Sequence, residues 1–244
     1  MNKKVFVFGL VVLAIATFFF RLQLKEPLPF FSENDLIEEL NSNGNYARVS
    51  EILDMVSIDE RHVFVPFVLE NGRYGFSAWE WNPSRKWEIL AFHSVDGPSL
   101  WNIDNRSERY FVYNFPPDDK VTELHVYMIR DRNAWISYDV PAYLPRIQLE
   151  ENISLGDKRY GVYKMPEEWV ELNDRLSENE TGRTDQLFSS LFSQHELMHY
   201  GWRTVGQNGE QRFIEQEENG FGSSYSGAVL FLSTLSDQDL EFGE

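Results

Sequence analysis

Between Val5 and Phe20 the chain reads VFVFGLVVLAIATFFF, a run with no charge, preceded by Lys3 and Lys4 and followed by Arg21. A helix that crosses a bilayer needs about 20 apolar residues. Leu22 and Leu24 continue the apolar character, and snorkelling by Arg21 and Lys25 lengthens the run. The pattern predicts one transmembrane anchor over residues 1–24, with its N-terminus in the cytoplasm because the basic residues come first. A cleaved signal is the alternative, since Ala14-Ile15-Ala16 has the A-x-A form and cleavage there would yield a secreted protein.

Beyond the anchor the periodicity changes several times. KEPLPFF, residues 25–31, holds two prolines and reads as a stiff stalk. Ser32 stands three residues before Asp35, a helix-capping arrangement, ahead of Leu36, Ile37 and Leu40 at helical spacing. Val49, Ile52, Leu53 and Val56 extend that spacing and predict a second short helix or a continuation of the first.

From His62 the pattern is that of strands. HVFVPFVLE and RYGFSAWEW flank Asn71-Gly72, a strong hairpin signal because both residues tolerate positive φ. KWEILAFHS follows NPSR, giving a three-stranded meander. Pro66 predicts that the first arm is an edge strand or carries a bulge. Further strands are expected over 109–114, 121–129, 134–140, 146–149 and 159–164. Helices are expected near 166–177, opened by Pro166, and near 185–200. Asn208-Gly209 predicts another hairpin.

Hairpin turns dominate and no βαβ alternation is visible. The expected fold class is α+β: a mostly antiparallel β ectodomain with short helices behind one transmembrane helix. The expected division is a helix-plus-meander unit over 32–105 and a second, sandwich-like β-rich unit over 106–244. The succession of charged anchor, short helix and VFVPFVLENGRYGFSAWEW…RKWEILAF resembles small membrane-anchored extracytoplasmic proteins of Bacillus-type bacteria. That resemblance covers about a third of the chain and implies location more than activity.

Charge narrows the partners. A net charge of −17 argues against nucleic acid, which needs a basic face, and leaves cationic ligands and divalent metals open. There is no cysteine, so disulfides and thiolate chemistry are excluded.

One short string carries specific chemistry. His195-Glu196-Leu197-Met198-His199 has the H-E-x-x-H form. On a helix, residues four apart share a face, so His195 and His199 would hold one zinc ion while Glu196 took a proton from its bound water. The string resembles the zincin metallopeptidases. Its continuation departs from them: Trp202 stands at the metzincin glycine position and Val205 at the third histidine position. No histidine follows His199, so a third ligand would be a carboxylate, with Glu215, Glu217 and Glu218 downstream and none assigned. MHYGWRTV equally fits the start of a strand leading to Asn208-Gly209, which would separate the histidines.

Trp79, Trp81 and Trp87 lie among Glu80 and Glu88, a composition met in sugar sites. Strand alternation, however, puts Trp79 and Trp81 on one face and Glu80 on the other, as for core aromatics opposite solvated acids. His62, His93 and His125 fall in strand-like segments and read as packing or surface residues. The expected function is a membrane-anchored extracytoplasmic binding protein without catalytic activity or cofactor. Its partner would be a protein, an envelope component or a membrane helix. The alternative is a membrane-anchored zinc metallopeptidase that uses His195, Glu196 and His199.

Overall fold

The computed structural model describes residues 26–42, 47–82, 86–94, 97–103, 108–117, 120–137, 140–181, 198–212, 222–224 and 227–241, with Phe8, Gly9, residues 11–13, Ile15 and Thr17. Most of the expected anchor lies outside them. Among the described residues no helix is long and apolar enough to cross a membrane.

From residue 26 onward the described chain is a stack of three mostly antiparallel sheets with a helix on one outer face. Helix α1 (Glu33–Ser42) starts where the capping pattern placed it: the Ser32 hydroxyl donates to Asp35 at 2.6 Å, and the Ser32 carbonyl accepts from Leu36 N–H. Its buried Leu36 and Leu40 rest on the first sheet. That sheet contains β1 (Val49–Ile52), β2 (Val56–Ser57), β3 (His62–Leu69), β4 (Tyr74–Asn82), β5 (Lys86–His93) and β15 (Gly222–Ser224).

The expected second helix at Val49–Val56 is instead the strand pair β1 and β2. A bulge between Val49 and Glu51 explains the misleading spacing. One extra residue restores the side-chain parity, so Val49 and Ile52, three apart, both reach the core. The expected β3–β4–β5 meander is present, and Gly72 makes the turn at φ +81°.

Pro66 does not mark an edge, because β3 has neighbours on both sides. Its carbonyl accepts from Leu53 N–H, so its N–H side also points outward, away from β4. The missing donor therefore faces the gap between β1 and β2, where the ladder is already interrupted.

The middle sheet has the order β12 (Tyr160–Lys164), β7 (Glu108–Asn114), β6 (Gly97–Ile103), β16 (Val229–Phe231). It is covered on both faces, which explains why β6 and β7 read as nearly continuous buried runs. Trp101, Ile103 and Val112 pack on Phe64, Phe76, Ala78 and Ala91 of the first sheet. Leu100, Phe111 and Tyr113 face the third sheet with Leu124, Val126, Met128 and Trp202.

The third sheet contains β11 (Ile147–Ser154), β8 (Val121–Arg130), β13 (His199–Gly206) and β14 (Gln211–Arg212), with β17 (Ser233–Thr234) parallel to β13. Helix α2 (Glu167–Thr181) follows Pro166 as expected and places Trp169 against Phe111. The Gly209 turn between β13 and β14 also forms, at φ +75°. Of the helix expected near 185–200, residues 185–197 lie outside the described residues, and His199 and Tyr200 are strand. They pair with Ile129 and Met128 of β8, and that ladder outcompetes a final helical turn.

Strand pairing crosses the expected unit boundary near residue 105. β6 pairs with β7, and β15 from the C-terminal region completes the first sheet. Strands β9 (Asn133–Ser137) and β10 (Val140–Leu144) form a separate two-stranded hairpin.

Candidate functional site

The outer face of the third sheet carries a dense polar cluster, assembled by strand register. β8 presents Glu123, His125 and Tyr127 on one face, two residues apart. On one side Tyr127 pairs with Glu150 of β11, and on the other His125 pairs with Arg203 of β13. The result is a ring held at both nitrogens. His125 Nδ1 is 2.7 Å from Glu150 Oε1, and Nε2 is 2.9 Å from Glu123 Oε2.

Glu150 Oε1 also accepts from the Tyr127 hydroxyl at 2.9 Å, while the Arg203 guanidinium lies 5.4 Å from the centre of the Tyr127 ring. Burial, reinforced by Glu150, pushes the Tyr127 phenol well above its ordinary range. Arg203 reaches Asp237 of the C-terminal segment at 3.6 Å.

A second carboxylate–imidazole group lies between the first and middle sheets. His62 Nδ1 is 2.8 Å from Asp59 Oδ2, and its Nε2 lies 3.9 Å from Glu80 Oε1. Nearby, the Tyr110 hydroxyl and Lys164 hold the Glu108 carboxyl below its ordinary range.

His125 is engaged at both nitrogens, whereas His62 is hydrogen-bonded through Nδ1 to Asp59 and has Glu80 beyond hydrogen-bond reach of Nε2. An imidazole held by carboxylates is oriented by them. Among the described residues no group of three or more histidines and carboxylates has an arrangement that could hold a metal ion. Each cluster instead shows half-exposed carboxylates at the surface, which suits hydrogen-bond donors and cationic groups on a partner.

His199, from the H-E-x-x-H string, opens β13 with its side chain exposed. His195 and Glu196 lie outside the described residues, as do Glu215, Glu217 and Glu218.

The tryptophan cluster is a core feature. Phe30 of the stalk packs edge-on against Trp87 at 4.9 Å and Trp79 at 5.6 Å, and Phe31 lies 5.3 Å from Trp79. Trp87 Nε1 donates to the Leu28 carbonyl at 3.0 Å. These rings therefore clamp the stalk to the first sheet, while Glu80 lies on the opposite face beside His62, as alternation predicted.

His93 is buried, stacked at 4.5 Å on Phe231 and edge-on to Phe76. Its Nδ1 has no hydrogen-bond partner among the described residues, and burial lowers its pKa to about 4.

Compared with protein-family models, curated proteins and solved structures, the chain matches none.

Proposed function

We propose that the chain is a membrane-tethered, non-catalytic binding module of the cell exterior, held at a fixed attitude to the bilayer by its clamped stalk. The observation that carries this reading is the docking of Leu28, Phe30 and Phe31 onto Trp79 and Trp87. A free linker would let the ectodomain tumble. Aromatic contacts immediately after the apolar run make the ectodomain continuous with whatever precedes it.

The described helical residues of the apolar run add support. Phe8, Val11, Val12, Leu13 and Ile15 are all exposed. At 100° per residue they spread over roughly 200° of the helix, wider than the stripe of a helix docked on one core. Such a surface needs an apolar surround, and a bilayer supplies it. The half-exposed carboxylates around His125 and His62 are the parts of the ectodomain best suited to a partner with donor or cationic groups.

Exposure of the ectodomain can be read in intact cells, because the chain has no native cysteine. Glu70 lies at an exposed turn between β3 and β4. Glu70→Cys should react with a membrane-impermeant maleimide before lysis, in the membrane fraction. Reaction only after lysis would overturn the proposed location.

A further inference from the structure

Among the described residues the β9–β10 hairpin pairs with no other strand, and its composition is distinct. Its sequence, NAWISYDVPAYL, carries a single charge, Asp139, and three aromatic residues in a chain of net charge −17. The hairpin prolongs β8 and β11. Arg130 pairs with Ile147, and three residues further along each strand Asn133 pairs with Leu144, so the register continues unchanged. The two strands therefore run out past the end of the third sheet as an arm.

Opposed pairs share a face in an antiparallel ladder. Ala134 opposes Tyr143 and Ile136 opposes Pro141, so all four lie on one face. All four are exposed, Ile136 by 74% and Tyr143 by 63%.

The direction of the arm is fixed by contacts through the stack. The stalk meets Trp87 near the start of β5, where Trp87 pairs with Trp81 at the end of β4. His62, opposite Glu80 at that end, contacts Trp101 near the end of β6. Trp101 pairs with Tyr110, adjacent to Arg109 near the start of β7. The Arg109 charge acts on the Tyr200 phenol, so the two side chains are neighbours, and Tyr200 pairs with Met128 near the end of β8, where the arm begins. Stalk and arm thus leave the same end of the molecule. The β3–β4 turn and Asn114, which donates to the Phe67 and Gly75 carbonyls, are at the other end.

We propose that the β9–β10 arm is a second membrane contact, which lays Ile136, Tyr143 and Pro141 into the lipid interface beside the anchor. This rests on the anchored reading above. The stalk brings the bilayer to the end from which the arm projects. At about 3.3 Å per residue each five-residue strand reaches roughly 17 Å, far enough to meet a nearby surface and too short to cross a core of about 30 Å. Interfacial depth also suits the backbone: both outer edges of the two-stranded arm are unpaired among the described residues, and headgroup water can satisfy them. Tyrosine and tryptophan favour that depth. At the base of the arm Arg132 pairs with Glu241 and Arg146 with Asp131, so the carboxylates there are neutralised.

The test uses the full chain in nanodiscs of phosphatidylcholine, with one introduced cysteine, Ile136→Cys or Glu70→Cys, carrying an environment-sensitive dye. Discs are prepared with and without brominated acyl chains. Burial 5–10 Å into the interface should quench the dye at position 136 about twofold in brominated discs and leave that at position 70 unchanged. A chain that co-elutes with the discs while position 136 is unquenched overturns the arm and leaves the anchor standing. The same result with the dye at 136 shielded from aqueous iodide assigns the face to a protein partner, and also overturns it. A chain that does not enter the discs overturns the anchored reading and the arm with it. Ile136→Asp combined with Tyr143→Asp, both at exposed sites, should retain co-elution and lose the interfacial signal of a dye placed at Ala134→Cys.

Discussion

At neutral pH the His93 ring is uncharged, and putting a proton on it would destabilise the fold. The ring is packed between Phe231 and Phe76, and its buried Nδ1 lacks a partner among the described residues. Burial lowers its pKa from the ordinary 6.5 to about 4. The depressed value means that the unfolded chain takes up the proton first as pH falls, so stability rises with pH across this window. The contribution is complete above the unfolded value and is lost as pH falls from there toward the folded one. With 1.36 kcal/mol per unit, the loss at pH 5 is about 2 kcal/mol, and it approaches about 3 kcal/mol near pH 4.

Other groups titrate in the same range, so the measurement is a difference. His93→Phe keeps an aromatic ring in the stack and removes the proton site. Chain from residue 26 onward should be unfolded in urea at pH 7.5 and pH 5.0, followed by tryptophan fluorescence. The variant should lose about 2 kcal/mol less than the parent on acidification, or about 4 °C less in Tm for a domain of this size. Equal losses in parent and variant would show that His93 takes its proton without cost, and would refute the burial argument.

Gly201 lies under the C-terminal segment, where an added Cβ would come within 2.5 Å of Leu235 Cγ. Gly201→Ala should cost about 1–3 kcal/mol by overpacking and speed proteolysis within residues 232–241, measured by melting and limited digestion. Unchanged cleavage would mean that Leu235 relaxes freely. For the zinc alternative, elemental analysis of the purified full chain should find zinc far below one per chain, with no difference in His199→Ala. Stoichiometric zinc lost in that variant would replace the binding reading with a metallopeptidase.

Local signals determined much of the strand framework. Asn71-Gly72 and Asn208-Gly209 placed two turns because few residues accept positive φ, and Ser32 with Pro166 placed two helix starts. Alternation separated Trp79 from Glu80, and it also put Glu123, His125 and Tyr127 on one face. What alternation could not supply was the far side of each ladder. Glu150 and Arg203 join His125 only because β11 and β13 pair with β8 in one register, and pairing between distant segments leaves no periodic trace in either.

The same limit explains the errors. The bulge in β1 made a strand mimic helical spacing, and the gap beside Pro66 let a proline sit in an interior strand. At Met198-His199-Tyr200 two local patterns competed, and the β8 ladder decided for strand from His199 onward. The sequence determined which segments want to be strands and which face of each is apolar, since both follow from side chains two residues apart. Only the tertiary structure decided that three sheets stack, that the tryptophans clamp the stalk, and that stalk and arm emerge at one end. Those depend on contacts between residues far apart in the chain, where close packing rather than local propensity selects the arrangement.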